Sequence, residues 1–144
     1  MTHMFSKSLT AVALAGVVLT GSACSDDDDP TAPTVAQVAG SYAATRLTAT
    51  TPLGTQNLLD NGGSLTMELL PSGVLTGEVS IPTQGIVDLA FTGTWRIDGT
   101  EVDVDQADAD TFVEDLSFKV VGNTLVADEI IDIARVRVTL AKQP

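Results

Sequence analysis

VDLAFTGTWRID (residues 87–98) puts Val87, Leu89, Phe91, Trp95 and Ile97 on one side of an extended chain, with Gly93 among them. Asp88, Ala90, Thr92, Thr94, Arg96 and Asp98 fall on the other side. Successive side chains of a strand point to opposite faces, so a period of two predicts one buried and one wet face. Residues 134–141 repeat the pattern: Ala134, Val136, Val138 and Leu140 alternate with Arg135, Arg137, Thr139 and Ala141. Antiparallel sheets with one solvated face alternate in this way, whereas doubly covered parallel strands read as continuous apolar runs.

Turn residues divide the rest of the chain into similar lengths. Pro71-Ser72-Gly73, Asp98-Gly99 and Gly122-Asn123 each sit between two alternating stretches, and Asn61-Gly62-Gly63 precedes another. Asp-Gly is a strong short-hairpin signal because type I′ turns need positive φ at both central residues. The predicted strands are 40–50, 64–70, 74–81, 87–97, 100–105, 116–121, 124–130 and 133–142. Eight strands in a mostly meandering order predict an all-β fold, an antiparallel up-and-down barrel. Closure removes the exposed sheet edges, and about eight strands suffice to fill a barrel with side chains or hold one small ligand. A β-sandwich is the competing architecture. Two segments break the alternation. Residues 51–61 form a long connection with paired leucines, Leu58 and Leu59, suited to a helical turn over one barrel end. Residues 107–116 place Phe112, Val113 and Leu116 at helix-compatible spacing, and a short helix or irregular loop is predicted there.

The barrel follows a very different N-terminus. Lys7 precedes an eleven-residue apolar run, LTAVALAGVVL (9–19), then Thr20, Gly21, Ser22, Ala23 and Cys24. Eleven residues rise about 16 Å as a helix, and a membrane core of about 30 Å needs about twenty. The run therefore reads as a cleavable export signal, residues 1–23. Ser22, Ala23 and Cys24 resemble the end of the lipobox of bacterial lipoproteins, although Gly21 stands where an aliphatic residue is usual. The resemblance implies cleavage before Cys24, lipid attachment to its thiol and an anchor in the membrane. Ordinary cleavage after Ala23, giving a secreted or periplasmic soluble protein, is the alternative. Ser25 after the cysteine, rather than Asp, points to the outer membrane under sorting rules known for some bacteria. Residues 24–36 comprise Cys24 and an acidic tether: Asp26, Asp27, Asp28 and Asp29 repel one another, and Pro30 and Pro33 stiffen the chain. Residues 37–144 are the barrel domain.

Composition removes several function classes. Seven Lys/Arg stand against nineteen Asp/Glu, a net charge of −12; loss of Lys7 with the signal makes it −13. Nucleic-acid binding needs clustered basic charge to displace counterions, and so does docking on anionic headgroups. Cys24 is the sole cysteine and His3, in the signal, the sole histidine. The exported domain thus has no disulfide framework, no Cys/His pair, no Ser-His-Asp triad and no His/Cys metal cluster. No carboxylate pair is singled out for hydrolysis, so no enzyme activity, cofactor or metal is expected. Asp103 and Asp105 have the opening spacing of a calcium loop and Glu114 its twelfth position, but Asp108 occupies the place of the loop glycine. A solvated strand face is the expectation there.

From residue 37 to 142 the chain resembles a bacterial lipocalin-like lipoprotein domain. Gly40-Ser41-Tyr42 opens the first strand in the place of the family's Gly-x-Trp, and Gly93-Thr94-Trp95 and the short hairpins follow. Arg135 and Arg137 are candidates for the family's C-terminal arginine. The resemblance implies an eight-stranded barrel, sometimes with a pocket at its open end. Small inward residues, Ala44, Gly77, Gly93, Ala127 and Ala134, are expected to leave space for a small hydrophobic ligand. Tyr42, Met67, Phe91, Trp95 and Phe118 are the candidate lining residues, with core packing as the default alternative. A structural or protein-interaction module with a filled barrel is the second functional reading.

Overall fold

In the computed structural model, which describes residues 31–107 and 111–144, alternating stretches become strands with their apolar side inward. A four-residue helix, α1 (Val35–Val38), is followed by β1 (Gly40–Thr51), β2 (Gly54–Asn57), β3 (Ser64–Leu69), β4 (Val74–Ile81) and β5 (Ile86–Asp98). β6 (Glu101–Gln106), β7 (Ser117–Val121), β8 (Thr124–Ile131) and β9 (Ala134–Lys142) complete the set. Each predicted strand is present, with its ends displaced by a single residue at most. The export segment, Cys24 and the aspartate run lie outside the described residues.

All neighbours pair antiparallel in the order β2-β1-β3-β4-β5-β6-β7-β8-β9, and β1 also pairs β9. β1 and β3–β9 therefore form a closed eight-stranded up-and-down barrel, not a sandwich. β1 changes partner along its length: Gly40–Ala43 pairs β3, whereas Thr48–Thr51 pairs β2. Its other edge runs along β9 from Tyr42↔Lys142 to Thr50↔Arg135, with a bulge between Ala44 and Arg46.

Three expectations are corrected. Residues 51–57 run as a β1–β2 hairpin, across which the Thr50 and Thr55 hydroxyls hydrogen-bond at 2.9 Å. Turn bonds begin only beyond it, where the Asn61 and Gly62 N–H groups donate to the Leu58 and Leu59 carbonyls at 3.2 and 3.1 Å. β-branched Thr48, Thr50, Thr51 and Thr55 favour a pleated surface over a helix. Leu58 is then drawn inward because its N–H donates to the Leu47 carbonyl at 2.8 Å. Second, Val87 and Leu89 are exposed rather than buried with Phe91 and Trp95. Asp88 takes φ 45°, and the β4–β5 register gains a residue between Val79↔Leu89 and Ile81↔Ile86. This bulge breaks the alternation and gives the inward place to Ile86, which packs on the core. Third, the space expected at Gly77 and Gly93 is occupied. A Cβ at Gly77 would collide with the Phe91 ring, and one at Gly93 with the Asp105 carbonyl. In 107–116 the predicted short helix is a 3-10 turn, Phe112–Asp115.

One barrel end is plugged. α1 has a capping box in which Thr34 and Gln37 satisfy each other's backbone N–H groups. It buries Val38, whose carbonyl accepts from the Tyr42 hydroxyl at 2.6 Å. Lys142 donates to the Gln37 carbonyl at 2.9 Å, tying α1 to β9. The antiparallel register places the β3–β4, β5–β6 and β7–β8 turns at this end too.

Candidate ligand cavity

At the opposite, open end lies a cavity of about 210 Å³. Its walls are apolar: Ala49 on β1, Leu58 after β2, Ile81 closing β4, Phe112 from the 3-10 turn, Ile131 closing β8, and Ala134 and Val136 on β9. Leu58, Ile81 and Val136 are buried, while Phe112 and Ile131 are partly buried. Gln84 and Asp132 are its polar lining residues. Next to Phe112, the Thr111 hydroxyl donates to Gln106 Oε1 at 2.7 Å and accepts from Val113 N–H at 3.3 Å. Around the same rim, Leu53 is fully exposed (100 %), as are most of Ile133 (79 %), Ile130 (76 %) and Val87 (64 %).

None of the five residues singled out from sequence lines this cavity; all are buried in the core. Tyr42, Met67 and Phe91 form one inward row around the barrel, linked by the pairs Tyr42↔Met67, Met67↔Gly77 and Gly77↔Phe91. Phe91 occupies the gap at Gly77 in that row. Trp95 and Phe118 sit beside Val104 and Val102 on β6, and the Trp95 indole N–H donates to the Leu70 carbonyl at 2.8 Å. Burial pushes the Tyr42 phenol above its ordinary pKa, because a tyrosinate there would lose its hydration. Of the small residues, Ala134 does line the open-end cavity. The sequence places Leu58 over a barrel end and Val136 inward, but their convergence with Ile81 and Ile131 is not legible in it, because these walls come from strand ends and a connection distant in the chain. The signal that was available is that inward-facing strand ends must converge on one mouth once the barrel closes.

The outer wall carries the charges. Arg135 Nε and Nη2 donate to the two Asp128 carboxylate oxygens at 2.6 and 2.8 Å, and Arg137 Nε donates at 3.1 Å. The hydrogen bond from Arg135 is the largest influence holding the Asp128 carboxyl below its ordinary pKa. Both candidate family arginines are thus engaged on the outside of the barrel. On β6, Glu101 and Asp103 face outward, with the Ser117 hydroxyl 3.0 Å from Glu101 Oε2 and 3.3 Å from Asp103 Oδ1. Arg96 pairs with Asp103 at 3.2 Å. Among the described residues no group of three or more His, Cys, Asp or Glu is placed to hold a metal ion; Asp108 and Asp110 lie outside them.

Compared with protein-family models and with curated proteins, the chain matches none.

Proposed function

We propose that this chain is an exported, lipid-anchored lipoprotein of the bacterial cell envelope whose lipocalin-like barrel binds a small hydrophobic ligand at its open end. The observation that carries the ligand reading is the 210 Å³ cavity walled by Leu58, Ile81, Phe112, Ile131 and Val136. Small-molecule sites are typically apolar concavities with a few polar groups, and this mouth has that composition. The anchor reading is supported by the export segment, by Ser22-Ala23-Cys24 and by the absence of any other cysteine in the sequence. α1 (Val35–Val38), at the barrel end opposite the ligand mouth, is the first element among the described residues. No residue has a catalytic role in this reading, and no cofactor is needed.

Two experiments test it. Cys24→Ala moves the protein from the membrane fraction to the soluble exported fraction; wild-type protein already soluble, without acyl mass on Cys24, refutes the anchor. For the ligand, native mass spectrometry after mild purification finds a bound small molecule, and Ala134→Leu, which projects into the cavity, displaces it. A wild-type barrel that is empty and gives no thermal shift with any of a panel of hydrophobes refutes binding.

A second reading, an envelope interaction module with a filled barrel, is favoured by one observation: the Phe91 ring already occupies the gap at Gly77. In that reading the exposed rim residues Leu53 and Ile133 meet a protein partner, and photo-crosslinking from position 53 in intact envelopes recovers it.

A further inference from the structure

The open-end cavity is apolar in its walls and carries a single charge at its mouth. Among the described residues that line it, Asp132 is the charged one and no cation accompanies it. Its carboxylate has no hydrogen bond or ion pair among the described residues. Arg135, close by on β9, is already held on the outer wall by both oxygens of Asp128. Asp132 also stands at φ 54° in the two-residue β8–β9 turn. Glycine adopts that left-handed conformation freely, and aspartate is one of few other residues that tolerate it. Turn geometry alone would be served at least as well by glycine, so the carboxylate is an addition that the turn does not require. The chain's net charge of −12 also raises the local concentration of cations and lowers that of anions.

We propose that the cavity takes a small cationic amphiphile: an apolar body against Leu58, Ile81, Phe112 and Val136, and an amine or quaternary ammonium head beside Asp132. The proposal rests on the ligand-binding reading above and names its ligand class. The cavity's 210 Å³ equals about seven waters at roughly 30 Å³ each, room for a short alkyl chain. A carboxylate-headed ligand of the same length would bring two like charges together at the mouth.

Isothermal titration of the purified Cys24→Ala protein with hexyltrimethylammonium and with hexanoate, at low salt, separates the possibilities. The ammonium binds about three- to five-fold more tightly, as fits an ion pair at an exposed rim. The preference shrinks toward unity at about 0.5 M salt, where charges are screened within a few ångströms. Asp132→Asn, which keeps the turn conformation accessible, removes the preference and leaves hexanoate binding at least as strong. Asp132→Gly does the same with a relaxed backbone, and Asp88→Asn, at the other left-handed aspartate, changes nothing. Equal affinity for the two probes, a preference for hexanoate, or a preference that survives both Asp132 variants overturns the proposal while ligand binding stands. Failure of both probes to bind overturns this proposal, and the ligand reading falls with it only where the wild-type barrel is also empty in native mass spectrometry and gives no thermal shift with the hydrophobe panel.

Discussion

Gly77→Ala tests whether the barrel interior is full where its sequence suggests space. The added Cβ would collide with the Phe91 ring and stand 2.6 Å from the Thr66 carbonyl oxygen. Neither neighbour yields easily: Phe91 is buried, and Thr66 is backbone in the β3–β4 ladder, paired with Glu78. Overpacking a core by one methyl costs about 1–3 kcal/mol. Reduced freedom of the unfolded chain returns about 0.4–1 kcal/mol where the new residue can adopt the native backbone. The net loss is about 1–2 kcal/mol, which for a domain of this size lowers Tm by roughly 5–10 °C. Urea unfolding followed by the fluorescence of Trp95, the single tryptophan, measures it directly. Phe91→Leu alone costs about 1–2 kcal/mol through lost ring packing. Combined with Gly77→Ala it costs less than the sum, because the smaller side chain clears the ring clash. The rescue is partial, since the Thr66 carbonyl stays in place. A Gly77→Ala protein as stable as wild type, or strictly additive losses in the double variant, would refute the argument that Phe91 fills this gap.

Tyr42→Phe leaves the buried Val38 carbonyl without its donor and costs about 1–2 kcal/mol, read as a lower calorimetric Tm; the phenol of the folded wild type titrates above its unfolded value of about 10, so spectrophotometric titration shows a late tyrosinate rise. Because burial raises this pKa, its contribution to stability is complete below about pH 10 and declines as pH climbs toward the folded value. Asp128 has the opposite sign: its depressed carboxyl contributes stability above the ordinary aspartate range near pH 3.9, and loses it as pH falls through the lower folded value. Asp128→Asn should therefore flatten the acid limb of the urea midpoint against pH, and an unchanged limb would remove the Arg135–Asp128–Arg137 cluster from any role in acid stability.

Strand positions were legible because period two is a local property. Residues 134–141 state their burial pattern within eight letters, and Asp98-Gly99 states the turn that follows β5. What escaped depends on backbone conformation or on register. The exposure of Val87 follows from the left-handed Asp88, and aspartate adopts such a conformation only where the surrounding pairing demands it. Gly77 and Phe91 each read correctly as inward, yet only their direct pairing across β4 and β5 turns the apparent gap into a filled one. The ligand cavity was the least legible feature. Its walls gather from six connections and strand ends between Ala49 and Val136, and no local pattern links Leu58 to Ile131. Phe112 drew notice by its spacing, but that spacing does not place it at the mouth. The aromatics Phe91 and Phe118, singled out by their apolar faces, are among the largest fully buried side chains, because large apolar rings are what a small barrel uses to fill its own middle.

The β1–β9 seam has a consequence for how the chain folds. Tyr42 pairs with Lys142, and Lys142 reaches Gln37 across 105 positions. Every other ladder joins strands that follow closely in the chain, so seven of the eight barrel strands can assemble as a growing curled sheet whose two outer edges wait for β9. Long-range closure is entropically slow, and until it occurs the edges of β1 and β8 are open to pairing with other chains. A newly made chain thus spends its most aggregation-prone interval just before its last strand arrives, and a carrier that holds it unfolded until Lys142 has emerged would remove that interval altogether.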